Sequence, residues 1–288
     1  MAHLVATLGV SERRACRVTG QRRSTQRYRP EVSKEEERLV SDLRRLARRH
    51  PRYGQRRIHA LLRRDGWRVN KKRVSRLWRE ERLQVPVRKR KRRRLGHSEN
   101  SCKRRRATRM NEIWCYDFVF DRTEDGRRLK FLTIVDEYTR ESLAVLAARS
   151  ITTKDVIEGL TGLMAERGAP EHLRSDNGPE FIAKAIVRWL GQVGVGTLFI
   201  APGSPWENAY GESFNGRFED ELLGSEFFAT VAEAQWLAEN WRREYNTTRP
   251  HSSLGYKTPE EFAASCVAST SATLRSKRRR IPQPQRLS

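Results

Sequence analysis

Cysteine is scarce in this 288-residue chain: Cys16, Cys102, Cys115 and Cys266, with no C-x-x-C pair and no clustered histidines among the six present. That leaves no basis for a disulfide framework or a zinc module, and the four are read as free thiols. Long apolar runs are also missing. None approaches the about 18–20 residues of a membrane-crossing helix, and Met1 to Val10 is too short and uncharged for a secretory leader. The expectation is a soluble cytoplasmic protein without a membrane partner. Acidic residues are thin at both ends: residues 1–110 hold 10 against 37 Lys plus Arg, and residues 266–288 hold none against six. The middle reverses this, with 25 acidic and 16 basic residues over 111–265, so the net charge of +24 averages two opposite tendencies. Basic flanks around an acidic centre suggest that one part holds a polyanion while another uses carboxylates on it. At 37% hydrophobic, with seven Trp and ten Phe, the chain has enough large apolar groups to fold.

The N-terminal part reads as helical. Residues 11–28 suggest two short helices, from Ser11 and from Ser24, around a turn at Gly20. Residues 31–50 form an amphipathic helix with Leu39, Leu43 and Leu46 on one face and Ser33 with Glu36 as a capping box. In 53–84, Ile58, Leu61 and Leu62 line one helix, Asp65–Gly66 breaks it, and Asn70 caps a second helix lined by Val74, Leu77 and Trp78. Lys71, Lys72, Arg73, Arg76 and Arg79 make that second helix basic, which points to a helix-turn-helix facing a DNA duplex rather than a plain basic hairpin. The region spans 1–86. A linker, 87–110, follows with seven consecutive basic residues, Arg88, Lys89, Arg90, Lys91, Arg92, Arg93 and Arg94, and a second cluster from Lys103 to Arg106. Self-repulsion keeps such a run extended until phosphates neutralise it, so it reads as an arm on nucleic acid, with a nuclear-import signal as the competing reading.

From Asn111 the texture changes. Ile113 to Phe120, Leu129 to Val135 and Ser142 to Ala148 read as three strands of an antiparallel meander. A helix (Thr153 to Arg167), a strand (His172 to Ser175), a helix (Glu180 to Val193) and a strand (Gly196 to Ala201) follow. Helices over Asn208 to Leu223 and Val231 to Tyr245 complete an α/β layer fold over 111–265. Residues 266–288 read as a disordered basic tail.

Three carboxylates stand out. Asp117 lies mid-strand between Tyr116 and Phe118, where an unpaired charge costs several kcal/mol unless a cation compensates it. Asp176 follows an apolar strand and precedes Asn177–Gly178, at a strand's carboxyl end, where open α/β sheets place ligands; a plain turn residue is the alternative. Glu212 lies on a helix near Tyr210, Phe214 and Phe218, and alone would pass for a surface acid. Trp206, Tyr210 and Phe214 could stack on unpaired bases, with simple packing the preferred reading. Asn177, Gly178, Pro205 and Asn208 read as turn and cap residues.

Thirty-five residues separate Asp176 from Glu212. With that interval, WCYDF around Asp117, SDNGPEF around Asp176, PWENAYGESFNGRF around Glu212 and YNTTRPHSSLGYKTPEEF at 245–262, the chain resembles bacterial insertion-sequence transposases of the second-reading-frame type, over residues 10–265. The resemblance implies a ribonuclease H-like core, a mixed sheet flanked by helices, with Asp117, Asp176 and Glu212 as catalytic residues and metal ligands. An all-oxygen set suits Mg²⁺ or Mn²⁺, two ions in all, cutting DNA at element ends and joining it to a target. It also implies fusion to an upstream-frame product, homo-oligomers on DNA and association with the bacterial nucleoid. Relatives commonly carry Lys or Arg seven residues after the catalytic Glu, where this chain has Glu219; Arg217 is the nearest base and the candidate DNA contact. Two other readings are an inactive DNA-binding regulator and a ribonuclease H-like nuclease acting on RNA hybrids or branched DNA.

Overall fold

A computed structural model describes residues 2–28, 33–85, 105–175, 184–199 and 208–268. The basic run Arg88 to Arg94, Lys103, Asp176, Asn177, Gly178, Pro205, Trp206 and the tail from 269 onward lie outside the described residues.

After a first helix α1 (Ala2–Leu8), α2 (Glu12–Val18) starts where Ser11 Oγ accepts from Arg14 N–H, and Gly20 turns the chain at φ 66°. The next helix, α3, begins at Arg23 rather than Ser24 and has no side-chain cap. Helices α4 (Lys34–Arg49), α5 (Gln55–Arg64) and α6 (Lys71–Glu80) then close one apolar cluster from Leu39, Leu43, Ile58, Leu62, Val74, Leu77 and Trp78. Asp65–Gly66 ends α5 as expected, Gly66 adopting φ 92°, a conformation that only glycine takes without strain. Asn70 Oδ1 accepts from Lys72 N–H at 2.9 Å and starts α6. The capping box at Ser33 is only half made. Ser33 Oγ accepts from Glu36 N–H, but the Glu36 carboxylate is taken instead by Arg73 and Arg76 of α6.

The second body is a five-stranded sheet in the order β3-β2-β1-β4-β5. Strands β1 (Ile113–Arg122), β2 (Arg128–Asp136) and β3 (Ser142–Ala148) form the antiparallel meander, while β4 (His172–Ser175) lies parallel to β1 and β5 (Gly196–Phe199) parallel to β4. Because side chains alternate along a strand, Trp114 and Tyr116 enter the cluster under α7 (Thr153–Arg167) and α8 (Lys184–Gln192). Val119 enters the opposite cluster, under α9 (Ala209–Phe218) and α10 (Val231–Thr247). This is the ribonuclease H-like layering: a mixed sheet with helices on both faces.

One helix departs from expectation. Rather than running as α-helix from Asn208 to Leu223, the chain leaves α9 at Phe218 and makes a π-helical turn over Glu219–Leu223. The wider turn is closed by Gly224 N–H donating to Glu219 C=O at 2.7 Å, an i to i+5 bond. It keeps Leu222 in the apolar cluster while Glu221 reaches Arg249. After α10, a 3₁₀ turn (Ser252–Leu254) and a helix α11 over 259–268 complete the described chain.

Candidate active site

Asp117 alternates onto the α9 side of β1, opposite Thr133 of β2, and is half-buried. Its two oxygens are each held by a donor. Asn215 Nδ2 donates to Oδ2 at 2.9 Å and Phe118 N–H donates to Oδ1 at 2.8 Å. The Thr133 hydroxyl donates to Asn215 Oδ1 at 2.9 Å, so the amide nitrogen of Asn215 is the atom turned toward the carboxylate.

Asn215 is 7% exposed on α9. Glu212 sits three residues earlier, hence on the same side of that helix and about 4.5 Å back along its axis, and it is exposed. At the start of α9 Gly211 packs closely on Asn208, since a Cβ there would come within 2.7 Å of Asn208 Oδ1 and displace that side chain. Asn208 itself is buried and makes no side-chain cap bond, unlike the cap expected of it. Beneath β1, Cys115 Sγ–H donates to Glu137 Oε1 at 2.9 Å, and Arg174 Nε lies 3.2 Å from the same oxygen. That ion pair is fully enclosed and ties β4, one residue before its end at Ser175, to the residue that follows β2. The chain's next residue is Asp176. Among the described residues no three metal-ligating side chains cluster; Asp117 is tied through Asn215 to the helix that carries Glu212.

The aromatic residues of this helix divide. Phe214 is buried against Phe218, Trp241 and Tyr245, while Tyr210 lies under the Arg140 guanidinium, 3.4 Å from its ring centre. Phe214 therefore presents no open stacking face, and one face of Tyr210 is taken by Arg140. Arg217 folds back onto its own helix, donating to Ser213 C=O and Oγ, and burial with Arg249 nearby pulls its pKa down. Glu219 is exposed.

In the helical module, Lys71, Lys72 and Arg79 line one cleft with Gln55, Arg56, His59 and Ser75. Arg73 and Arg76 are spent elsewhere. They hold Glu35, Glu36 and Glu80 at 2.9–3.3 Å, and these hydrogen bonds keep the Glu36 carboxyl below its ordinary range. Of the linker, Arg105 and Arg109 pair with Glu112 and Glu171 of the core. Sequence reading passed over Asn215; its one signal was a polar residue at the centre of an otherwise aromatic helix face, between Phe214 and Phe218.

Comparison with known proteins gives two matches to the Integrase core domain, over residues 107–205 and 193–259, and one to the HTH-like domain, over 34–91. The chain is 40% identical to the insertion element IS407 31.7 kDa protein of Burkholderia multivorans, across 94% of this chain and 97% of that one. It is 41% identical to the IS476 39.2 kDa protein of Xanthomonas euvesicatoria, across 88% and 73%. It is 27% identical to the transposase for IS904 of Lactococcus lactis, across 73% and 87%. Among the described residues no helix is long and apolar enough to cross a membrane.

Proposed function

The chain belongs to the insertion-sequence transposases built on an integrase core, and on that premise we propose that Asp117, Asp176 and Glu212 are the catalytic carboxylates with which it cuts and joins DNA. The observation that carries the reading is the Thr133–Asn215–Asp117 chain of hydrogen bonds, which ties the strand carboxylate to the helix of Glu212. Asp117 is oriented by the Asn215 amide and the Phe118 N–H, Glu212 lies on the helix that carries Asn215, and the donors are all oxygen, with Cys115 turned to Glu137 instead. Such a set fits magnesium or manganese. Two such ions, when bound, supply Lewis-acid activation of the attacking oxygen and stabilisation of the leaving 3′ oxygen. The protein's own part is to hold the carboxylates still and to bring a phosphodiester to them. With water as nucleophile a strand is cut; with a freed 3′ hydroxyl it is joined to another.

The basic cleft of Lys71, Lys72 and Arg79 supports DNA holding by the helical module, aided by the basic run from Arg88 to Arg94. Division of the chain into module, linker, core and basic tail follows from that reading, as do action at the bacterial nucleoid and assembly of several copies on paired DNA ends. Fusion to an upstream-frame product gains no support from the comparisons. The regulator and ribonuclease readings are not favoured.

The test is a strand-cleavage and joining assay on a duplex carrying an element end, with magnesium. Wild-type chain is expected to cut and join, while Asp117→Asn and Glu212→Gln lose at least a thousandfold in rate and keep DNA affinity. Equal activity in wild type and either variant overturns the assignment.

A further inference from the structure

The stretch YNTTRPHSSLGY, 245–256, takes no part in the carboxylate chemistry, yet its side chains gather where the helical module meets the core. Arg249, whose side chain is 1% exposed, forks onto Glu221, Nη2 at 2.6 Å from Oε1 and Nε at 2.8 Å from Oε2. Arg57 of α5 approaches the same Oε1 at 3.5 Å. The Tyr53 ring lies 5.4 Å from the Arg57 guanidinium and 5.8 Å from that of Arg249. Around this centre His50 Nδ1 meets Glu244 at 2.9 Å, and Arg64 donates to Thr248 C=O at 3.1 Å and to Glu261 at 2.6 Å. These contacts are ion pairs, hydrogen bonds and guanidinium–ring packing, so charge geometry bears on the angle between module and core.

Glu221 stands in the π turn that continues α9. The carboxylate gripped by the module therefore belongs to the same unbroken helical segment as Glu212. Arg249 by itself neutralises Glu221, and Arg57 adds a second guanidinium from the module side. Removing Arg57 accordingly loosens the module at Glu221 while leaving the core pair whole and the His50 and Arg64 contacts in place, and Arg57 is not among the residues of the Lys71–Lys72–Arg79 cleft.

We propose that the Arg57–Glu221–Arg249 joint fixes the distance from the DNA-holding cleft to Asp117 and Glu212, and so selects which phosphodiester, counted from the bound sequence, is cut. The inference rests on the DNA-cutting reading above. All three are positioning residues, since none touches a reacting atom.

Two readouts on the full chain test it: cut positions mapped to the nucleotide on an element-end duplex with magnesium, and the distance between paired labels at Arg48 and Glu226. Wild type should give one cut position and one narrow distance. Arg57→Met should keep the melting temperature and hold DNA affinity within about twofold, broaden the distance distribution, spread cuts over neighbouring phosphodiesters, and slow the original cut roughly tenfold; Arg57→Lys should restore most of this. A single unshifted cut at wild-type rate in Arg57→Met, or an unchanged distance, overturns the proposal. Failure of the wild type itself to cut would sink the enzyme reading instead, and the distance measurement would still decide whether Arg57 is a joint.

Discussion

At the scale of single residues, Asp117 depends on a neighbour that is polar but uncharged. A lysine in place of Asn215 would neutralise the carboxylate, and an apolar residue would leave Oδ2 free to rotate. Replacing Asn215 by Ala is expected to lower the cutting rate about ten- to a hundredfold, the cost of a small misplacement of a reacting group, with DNA affinity unchanged; single-turnover cleavage kinetics check it. The proposal for Asp117, Asp176 and Glu212 could be made from sequence because their spacing and flanking motifs are local patterns. None could be made for Asn215, because its role exists only where β1, β2 and α9 meet. His251 shows the same limit. Its ring is stacked edge-on against Tyr245, and burial, followed by the fields of Arg249, Arg217 and Arg57, pushes its pKa down to about 2 from an ordinary value near 6.5. The unfolded chain thus binds a proton between those values and the folded chain does not, so stability is full above about pH 6.5 and declines as pH falls below it. Burial with Arg105 nearby lowers His172 in the same direction. Melting temperature measured from pH 7.5 to 5.5 should fall in wild type and fall less steeply in His251→Gln.

At the scale of elements, the basic face of α6 splits into residues that look outward and residues that brace the module. Periodicity located the helix and its Asn70 cap, but it could not tell these groups apart, because the partners Glu35 and Glu36 come from α4. Lys72→Ala is expected to weaken DNA binding several-fold and to reduce the slope of log affinity against log salt by about one. Arg73→Ala should leave that slope intact and cost about 1 kcal/mol of stability, since its pairs with Glu35 and Glu36 are exposed to part-buried. Binding titrations at several salt concentrations separate the two; equal slopes for both variants would reject the division. The π turn after α9 was illegible for a related reason. Phe218 and Leu222 fit an ordinary helical stripe, and the demand for a wider turn comes from Arg249, which sits 28 residues beyond Glu221 in the chain.

At the scale of the whole molecule, the helical module and the sheet body have separate apolar clusters joined by charged contacts. Leu62, wholly buried in the module, should cost about 2–5 kcal/mol when cut to Ala. Hydrogen exchange is expected to show the loss over residues 34–85 with protection over β1 and β2 retained, whereas a uniform loss would mean the two bodies unfold as one. The order of these bodies along the chain has a consequence for synthesis. Contacts within α4 to α6 are close in sequence and form quickly, whereas α9 is braced only when Arg249 has been made. At roughly 5–20 residues per second, a nascent chain on the ribosome spends on the order of ten to thirty seconds with a finished helical module and an α9 not yet braced, so on the proposed reading each molecule gains its grip before its cutting edge.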